Sequence, residues 1–341
     1  MNETSHRTLH VVERWTETTG AAVLQLVAAA PGREHHLLCG TAAGTGLPPG
    51  HGFATVGILP GPRSAQRRAL RARVSGLCPD VVHAHGLGAG RLAGSALGGR
   101  RVVYSPHGFA YERGGGAVAR ARARIAERRA VRRAAVVVTC APRESRDAVA
   151  LGGRSVVQVP AAPRIPALAM FETRVPGRVV GIGRIDAQHD PDFFRTVVLA
   201  LRRGGHPGLD ARWLGEPDDR IASLRLERAG IAVSGWLSPV DLLTALGAAG
   251  VYVHTARWDG MPATIADAVE LGIPVIARDV PTLAGATATP RLRSPGELAA
   301  AVEELLAGGE AARDANLEAW RRVLGPVTPR RQELAIEEAY G

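Results

Sequence analysis

Two carboxylates lie around the start of one helical segment in the second half of the chain. Asp259 precedes this segment, and Asp267 follows eight residues later, just over two turns along a helix that opens near Met261-Pro262. The free backbone N–H groups of a helix N-terminus bind anions such as phosphates, and carboxylates accept hydrogen bonds from sugar or ribose hydroxyls. The segment therefore predicts a site for a ligand with phosphate and hydroxyl groups.

A second candidate site follows a glycine-rich strand. Gly183 and Arg184 lie near the end of this strand, and His189 precedes the next helix. Backbone amides at such a strand end can approach a diphosphate closely. We hypothesise that protonated His189 pairs with the anion, so that affinity falls as the pH rises. Asp190 and Asp192 are spaced like metal ligands, but an acid pair at a helix start is the favoured interpretation.

Histidines mark the strand ends of the first half. His107 lies in a loop beside a proline and a glycine, where a histidine in a turn is equally typical. His83 and His85 lie two residues apart on a strand and therefore share one face. No third ligand is evident from the sequence, so we predict no metal site here.

These segments together resemble the family 4 glycosyltransferases, a large retaining group with the GT-B fold. Members carry two acids separated by seven residues, usually both glutamate, where this chain has Asp259 and Asp267. Their Gly-Arg-Leu-x-x-x-Lys segment is similar to the one around Arg184, with His189 at the position of the lysine. The family also often carries a histidine at the position of His107. The resemblance covers nearly the whole chain and is more specific in its second half.

The resemblance implies a set of site residues. The implied catalytic residues are His107, Arg184 and Asp259. The residues implied to bind the nucleotide sugar are Gly20, Gly183, Arg184, His189, Gly260, Met261 and Asp267. Asp259 and His107 would contact the sugar from two sides, and Asp267 would bind the ribose hydroxyls. Gly20 would lie in the loop after the first strand, near the donor phosphates, and His85 is a candidate for the acceptor side.

The implied reaction moves a sugar from a nucleotide-sugar donor to an acceptor hydroxyl with retention of configuration. We expect hexosyl transfer without a metal and without a cofactor other than the donor substrate. The protein would position the substrates and stabilise the departing diphosphate. Similarity of residues 112–147 to enzymes of cell-surface polysaccharide synthesis implies polysaccharide or glycolipid synthesis as the pathway. The alternatives are a non-catalytic homologue that binds a nucleotide sugar or a partner protein, and an epimerase or phosphorylase of this fold.

Composition limits the class of protein. The 341 residues suffice for two domains with separate cores, and a hydrophobic content of 46% excludes extensive disorder. Three scattered cysteines are typical of a reducing cytosol and indicate neither a disulfide framework nor a zinc cluster. We expect neither a membrane span nor a secretion signal. The expected location is the cytoplasm, with a peripheral position on the inner face of the plasma membrane.

Positive charge is concentrated in the first half. Residues 1–170 contain 23 arginines and 9 acids, a net charge of +14, whereas residues 171–341 contain 19 arginines and 23 acids, a net charge of −4. A solvated helix face explains any single arginine, but the asymmetry predicts attraction to anionic lipid or to a phosphorylated acceptor. The expected partners are a nucleotide-sugar donor and a sugar, lipid-linked or small-molecule acceptor. Nucleic acid is not expected, because no binding motif is present.

Short apolar runs alternate with helical segments along the chain, a pattern typical of parallel sheets covered on both faces. The predicted strands are 9–12, 36–38, 81–82, 102–104, 136–138, 156–159, 178–185, 211–214, 251–254 and 273–277. The predicted helices include 63–75, 117–133, 142–151 and 328–340. We therefore predict an α/β protein of GT-B architecture, with two Rossmann-like domains whose parallel sheets face each other across an inter-domain cleft.

The predicted domain boundaries follow from this pattern and from a proline-rich patch after residue 159. An acceptor-side domain spans 1–165, a linker spans 166–177, and a nucleotide-sugar-binding domain spans 178–325. A C-terminal helical segment at 326–341 is expected to cross back to the first domain. The nucleotide base, the sugar, the acceptor and the oligomeric state are left open, because substrate choice depends on loops and not on the fold.

Overall fold

The computed structural model describes residues 6–40, 47, 50–97, 100–160, 162–164, 173–258, 263–280, 283, 292–325 and 328–341, without the side chains of residues 17 and 18. The strands within these ranges are β1 (Arg7–Val12), β2 (Glu34–Cys39), β3 (Phe53–Ile58), β4 (Val81–His85), β5 (Val102–Ser105), β6 (Val136–Thr139), β7 (Val156–Gln158), β8 (Val179–Ile182), β9 (Ala211–Leu214), β10 (Ala232–Val233), β11 (Val251–His254) and β12 (Val275–Ala277).

The helices alternate with these strands. They are α1 (Glu17–Ala28), α2 (Arg63–Leu77), α3 (Gly86–Ala96), α4 (Ala117–Arg133), α5 (Pro142–Ala150), α6 (Pro191–Arg203), α7 (Arg220–Arg228), α8 (Pro239–Gly247), α9 (Ala263–Glu270), α10 (Pro295–Ala307), α11 (Gly309–Leu324) and α12 (Pro329–Tyr340). Several helices begin at a proline, whose fixed φ suits the first helical position. None of the described helices is long and apolar enough to cross a membrane.

The chain divides into two compact units, Met1–Ala161 with Thr328–Gly341, and Ala162–Val327. The first unit contains a seven-stranded sheet of order β3-β2-β1-β4-β5-β6-β7, and the second a five-stranded sheet of order β10-β9-β8-β11-β12. All neighbouring strands in both sheets are parallel. Both orders reverse direction once, as in dinucleotide-binding folds. This topology confirms the predicted pair of Rossmann-like sheets.

Burial on both faces explains why the strands form. In the first unit, Val103 and Val137 on adjacent strands are at most 1% exposed, and β-branched residues pack well on such a pleated surface. In the second unit, the rings of Phe194 and Trp213 meet edge to face with centroids 5.4 Å apart. This aromatic pair lies between α6 and β9 and anchors the helix that follows the candidate diphosphate loop.

The predicted strands at 211–214 and 251–254 and the predicted helix at 117–133 are confirmed with the same bounds. The prediction missed β3, because this edge strand exposes most of its side chains and lacks an apolar run. It also missed α3, whose glycines at its start resemble a loop. Those glycines permit close packing, since a Cβ at Gly90 would lie 2.7 Å from the ring of Tyr104.

The C-terminal helix α12 belongs to the first unit. Ile336 and Ala339 are fully buried in a cluster that includes residues of β4, β5, β6 and β7. The amide of Gln332 donates to the carbonyl of Pro160 at 2.6 Å, and the hydroxyl of Tyr340 lies 2.8 Å from Nδ1 of His83. The helix therefore covers one face of the first sheet. Of the proposed linker at 166–177, residues 166–172 lie outside the described ranges.

Candidate active site

The candidate site of the second unit lies at the carboxyl edge of its sheet. The strand order reverses between β8 and β11, and open α/β sheets bind ligands at the carboxyl ends of strands beside such a reversal. Gly183 and Arg184 follow β8, while His254 and Thr255 stand at the end of β11. The hydroxyl of Thr255 donates to the carbonyl of His189 at 2.7 Å, which joins the end of β11 to the loop after β8. The predicted residues Gly183, Arg184 and His189 therefore lie at one edge.

Close packing requires a glycine at position 183. The φ of Gly183 is +131°, and a Cβ there would lie 2.2 Å from the ring of His189. The indole N–H of Trp213 donates to the carbonyl of Gly183 at 2.7 Å and orients this peptide. A larger residue would displace the imidazole, so only glycine at this position lets the ring of His189 pack against the backbone of residue 183.

One carboxylate, that of Asp186, holds both Arg184 and His189. It accepts from the backbone N–H of His189 at 3.0 Å and from Nδ1–H of its ring at 2.8 Å, and it pairs with Arg184 at 3.1 Å. Burial acts to raise the pKa of Asp186, but the His189 hydrogen bonds and the Arg184 charge hold it below its ordinary value. Asp186 is therefore ionised at neutral pH. Asp186 was not predicted as a site residue, because its only signal in the sequence is an acid between the arginine and the histidine.

His254 is buried beside this cluster and is neutral. The hydroxyl of Tyr252 lies 2.8 Å from Nδ1 of His254. Burial, and then the charge of His189, lower the pKa of His254 to about 3. A neutral imidazole can form hydrogen bonds but cannot neutralise an anion. Of the two histidines at this edge, His189 with its Asp186 partner is the one suited to an anionic ligand.

The aspartates at the start of α6 bind arginines. Asp190 is the N-cap residue of α6, and its carboxylate accepts from Arg257 at 2.7 Å and from Arg278 at 2.8 Å. Asp192 lies in the first turn and accepts from Arg225 at 3.0 Å. The pair therefore stands at a helix start, as predicted, and its carboxylates form ion pairs that connect α6 to neighbouring elements.

Asp267 lies on α9 and is fully buried. Its Oδ1 accepts from the backbone N–H of Arg164 at 2.7 Å, and its Oδ2 accepts from Nε of Arg164 at 3.0 Å. Asp267 was predicted to bind the ribose hydroxyls, but both of its carboxylate oxygens already accept hydrogen bonds from Arg164. Asp259, Gly260 and Met261 lie outside the described residues.

In the first unit, the loop after β5 holds His107 in a left-handed backbone conformation with φ of +51°. Such a conformation is uncommon for a residue other than glycine and needs support from its surroundings. Glu144 accepts from the N–H of Gly108 at 2.8 Å, and Glu127 accepts from the N–H of Ala110 at 2.9 Å. These two buried carboxylates, which were not predicted as site residues, fix the loop on the C-terminal side of His107.

His85 and His107, the two histidine candidates of the first unit, contact each other. Nδ1 of His85 lies 3.0 Å from Nε2 of His107, and the rings are stacked with centroids 5.2 Å apart. Burial, and then the charge of Arg113, lower the pKa of His107 to about 4. His107 is half-buried whereas His85 is buried. The first unit thus presents a neutral imidazole at the carboxyl end of its sheet.

His10 lies beside His83 and His85, the two histidines that share one face of β4. The ligand atoms of His10, His83 and His85 lie within 4.8 Å of one another, a spacing that a metal ion could bridge. His83, however, lies between the hydroxyls of Ser105 and Tyr340, at 2.7 and 2.8 Å, and the nitrogens of the other two rings bond to histidines. These contacts satisfy the cluster, and we propose no metal site for it. Parallel pairing of β1 with β4 brings His10 beside His83.

The predicted loop position of Gly20 is wrong. Thr16 caps α1 by accepting from the backbone N–H of Thr19, so the helix begins at Glu17 and includes Gly20. A Cβ at Gly20 would lie 2.7 Å from the indole of Trp15. The glycine therefore lets Trp15 pack on the first turn of the helix. Its contact with the donor phosphates stays a prediction.

Two family models match the chain. The model described as a glycosyl transferase 4-like domain matches residues 4–163, and the model described as glycosyl transferases group 1 matches residues 176–308. Together they cover most of both units. No curated protein sequence matches the chain.

Solved structures share the fold at low sequence identity. Sucrose-phosphate synthase from Thermosynechococcus elongatus has a TM-score of 0.71 at 14% identity, over 98% of this chain and 95% of that one. Anabaena HepE in complex with UDP has a TM-score of 0.71 at 16% identity, over 96% of this chain and 98% of that one. A glycosyltransferase from Rickettsia africae has a TM-score of 0.71 at 11% identity, over 99% and 98%.

The sequence match and the structural likeness lead to the same assignment. Both Rossmann-like units are matched by glycosyltransferase models, one for each unit. The likeness to the solved structures extends over nearly the whole chain and confirms the predicted GT-B fold. The chain belongs to the family 4, or group 1, glycosyltransferases.

Proposed function

We propose that the protein is a metal-independent hexosyltransferase that transfers a sugar from a nucleotide-sugar donor with retention of configuration. The observation that carries the proposal is the cluster at the carboxyl edge of the second sheet, where Asp186 holds Arg184 and His189 together. Two basic side chains at this position suit a diphosphate that departs with negative charge. The likeness to HepE, which was solved in complex with UDP, supports a nucleoside diphosphate as the ligand.

Arg184 and His189 would stabilise the leaving diphosphate. Because Asp186 accepts from Nδ1–H of His189, Nε2 is the ring nitrogen through which His189 would donate to a phosphate oxygen when protonated. Arg184 also pairs with Asp218 at 2.7 Å. This pair is exposed, and a phosphate can replace it at a cost of roughly 0–1 kcal/mol.

Asp259 and His107 would each contact the sugar. The helix start at Gly260 and Met261 would add backbone N–H groups for the phosphates. These roles carry over from the family pattern, and of these residues only His107 lies within the described ranges. Its neutral imidazole is suited to a hydrogen bond with a sugar hydroxyl.

One observation favours the alternative of a non-catalytic homologue. Both carboxylate oxygens of Asp267 accept hydrogen bonds from Arg164. A ribose that binds Asp267 would have to replace Arg164 and leave a buried carboxylate with a weaker partner. A chain that had lost donor turnover could retain such an internal ion pair as a structural contact.

The first unit supports an acceptor at a membrane surface. All seven arginines of α4 are exposed. Val118 and Ile125 on the same helix are 65% and 53% exposed. Positive charge together with exposed apolar residues suits an anionic lipid surface. The proposal therefore includes a lipid-linked acceptor in polysaccharide or glycolipid synthesis, at the inner face of the plasma membrane.

Calorimetric titration with UDP, GDP, ADP and their sugar conjugates tests the donor site. We expect one nucleotide class to bind, and Arg184→Ala to weaken it about 10- to 100-fold through loss of a charge-assisted hydrogen bond. Arg212→Ala is the matched control, because it removes the same charge from a partly exposed surface pair in the same unit. It should change the affinity less than about threefold.

The same mixtures separate the transferase from the non-catalytic alternative. Slow hydrolysis of the bound donor, lost in Arg184→Ala, supports the transferase. Binding without hydrolysis, and without transfer to any acceptor supplied, supports the alternative. Absence of binding by every nucleotide at both pH 6 and pH 8 contradicts the donor site.

A further inference from the structure

Four histidine rings of the first unit form one hydrogen-bonded chain. Nδ1 of His35 lies 3.0 Å from Nε2 of His10. Nδ1 of His10 lies 3.0 Å from Nε2 of His85, and Nδ1 of His85 lies 3.0 Å from Nε2 of His107. The rings come from β2, β1, β4 and the loop after β5, which are consecutive in the sheet. The histidine chain therefore crosses the sheet and ends at the residue proposed to contact the sugar.

The far end of the histidine chain sets the direction of every hydrogen bond in it. Nε2 of His35 lies 2.9 Å from the carbonyl oxygen of Ala30, which can only accept, so this nitrogen carries a hydrogen. In a neutral ring, Nδ1 of His35 then accepts from Nε2–H of His10. Repeating this step assigns Nε2–H to His85 and to His107. The lone pair of His107 is consequently on Nδ1, the nitrogen turned away from the histidine chain.

The four rings are neutral at physiological pH. Burial holds the pKa of His10 and His85 well below the ordinary value, and burial also lowers that of His35. The pKa of His107 is about 4. Arg33 and Arg113 lower the pKa of nearby rings further, and the neighbouring His36 and His83 have pKa values that are themselves lowered by burial. An added proton is therefore opposed by burial at all four rings and by an arginine charge at His10, His35 and His107.

The backbone of His107 is held as firmly as its ring. Gly108 and Ala110, on the C-terminal side of His107, donate their N–H groups to Glu144 and Glu127. The left-handed conformation of His107 thus persists because buried carboxylates fix the turn. With the backbone and Nε2 both held, Nδ1 has one orientation to offer a ligand.

We propose that His35, His10 and His85 are positioning residues, which hold His107 as the neutral Nε2–H tautomer so that its Nδ1 accepts a hydrogen bond from a sugar hydroxyl. This rests on the sugar contact in the proposed function. The histidine chain ends at a carbonyl oxygen, which is not a base, so it offers no exit for a proton. Because burial and the charge of Arg113 also disfavour a protonated ring, His107 acts as a hydrogen-bond acceptor and not as a general base.

Nuclear magnetic resonance of the ¹⁵N-histidine-labelled free protein tests the tautomer. Two-bond ¹H–¹⁵N correlations distinguish protonated from unprotonated ring nitrogens, and His107→Asn identifies the His107 signals. We expect Nε2 of His107 to be protonated and Nδ1 unprotonated from pH 5.5 to pH 8. A protonated Nδ1 at pH 7, in either a neutral or a charged ring, would overturn the proposal.

Variants at the far end test whether the chain of rings transmits this preference. His35→Leu removes the acceptor of His10, so the reversed direction of hydrogen bonds becomes accessible and the Nδ1–H tautomer of His107 should appear. His35→Asn restores an acceptor near the position of Nδ1 and should restore the native tautomer. His36→Leu is the matched control, because His36 is buried on the same strand but bonds to Thr55 outside the chain of rings. An unchanged His107 tautomer in His35→Leu would refute the positioning role.

Kinetics connect the tautomer to the reaction. We expect His35→Leu to lower kcat/KM about 2- to 10-fold, the effect of one hydrogen bond, with recovery in His35→Asn and no change in His36→Leu. The resonance experiment requires no donor, so a failure of the proposed function can be distinguished from a failure of the positioning role. If no donor binds, the proposed function fails although the tautomer is observed. If a donor turns over while His107 has the other tautomer, the positioning role fails alone.

Discussion

Three glutamates near the His107 loop differ in their hydrogen-bond partners and in their surroundings. Glu127 and Glu144 accept hydrogen bonds from loop amides, while burial raises the pKa of both. Glu112 ends the short 3₁₀ helix Ala110–Glu112 that follows His107. Burial, and then the charges of Asp147 and Glu144, raise its pKa to about 7. The pKa of Glu112 therefore lies near physiological pH.

The raised pKa of Glu112 predicts a pH-dependent stability. Between pH 4.5 and about pH 7, the folded protein retains a proton that the unfolded chain has released, so the free energy of unfolding falls as the pH rises. Glu112→Gln replaces the carboxyl by a neutral amide. We expect this variant to be more stable than the natural protein by about 1–3 kcal/mol at pH 8 and equally stable at pH 4.5. Chemical denaturation at both pH values measures this difference.

Glu318→Gln provides the control, because Glu318 is 71% exposed on α11. It should change stability by less than about 0.5 kcal/mol at either pH. A destabilised Glu112→Gln at pH 8 would contradict the raised pKa, since it would mean that the ionised carboxylate stabilises the fold.

At the scale of elements, α12 is separated in the sequence from the rest of the first unit, because all residues of the second unit lie between them. The helix nevertheless completes the first unit, because Ile336, Ala339 and Tyr340 enter its core. Tyr340 also supplies a hydrogen-bond partner to His83, which lies beside the histidine chain. The first sheet therefore depends on a helix that the sequence places last.

Removal of one apolar side chain from α12 should destabilise the first unit alone. Ile336 is fully buried, so Ile336→Ala should cost about 2–4 kcal/mol through lost burial and a residual cavity. Leu334 lies on the same helix but is 50% exposed, and Leu334→Ala should cost less than about 1 kcal/mol. Hydrogen exchange read separately over each unit measures both effects. Equal effects of the two variants, or faster exchange confined to the second unit, would contradict this packing.

At the scale of the whole molecule, the two halves carry opposite net charges, and the positive half includes the seven exposed arginines of α4. We expect Arg128→Glu with Arg129→Glu to reduce binding to vesicles of anionic phospholipid at least about tenfold, since each basic residue near the surface contributes about 1 kcal/mol. Binding should also fall as salt rises. Vesicle sedimentation measures both effects.

Arg321→Glu with Arg322→Glu is the matched control, because it makes the same change in net charge at exposed residues of α11. We expect it to leave vesicle binding within about threefold of the natural protein. Equal loss in the two double variants would mean that net charge alone governs the attraction. Equal binding to neutral and anionic vesicles would contradict the proposal that these arginines bind anionic lipid electrostatically.

The sequence by itself determined the two α/β units and the family. Apolar runs of strand length, separated by helical segments such as 117–133, are local patterns whose periods report burial directly. The diphosphate candidates Arg184 and His189 were also visible, because they lie within one short segment that matches a family motif. Gly20 was placed wrongly in a loop, since the Trp15 contact that favours glycine there is not visible in a local pattern.

Only the tertiary structure decided which distant residues meet. The order of the strands brings His35, His10, His85 and His107 into one chain of rings, although they come from four separate segments. Likewise, Arg164 reaches Asp267 only in the folded second unit. Hydrogen bonds and pKa values depend on distances of a few ångströms and on burial, and strand order and register set both. Spacing along the chain therefore identified candidate groups, whereas the fold assigned their partners, tautomers and charges.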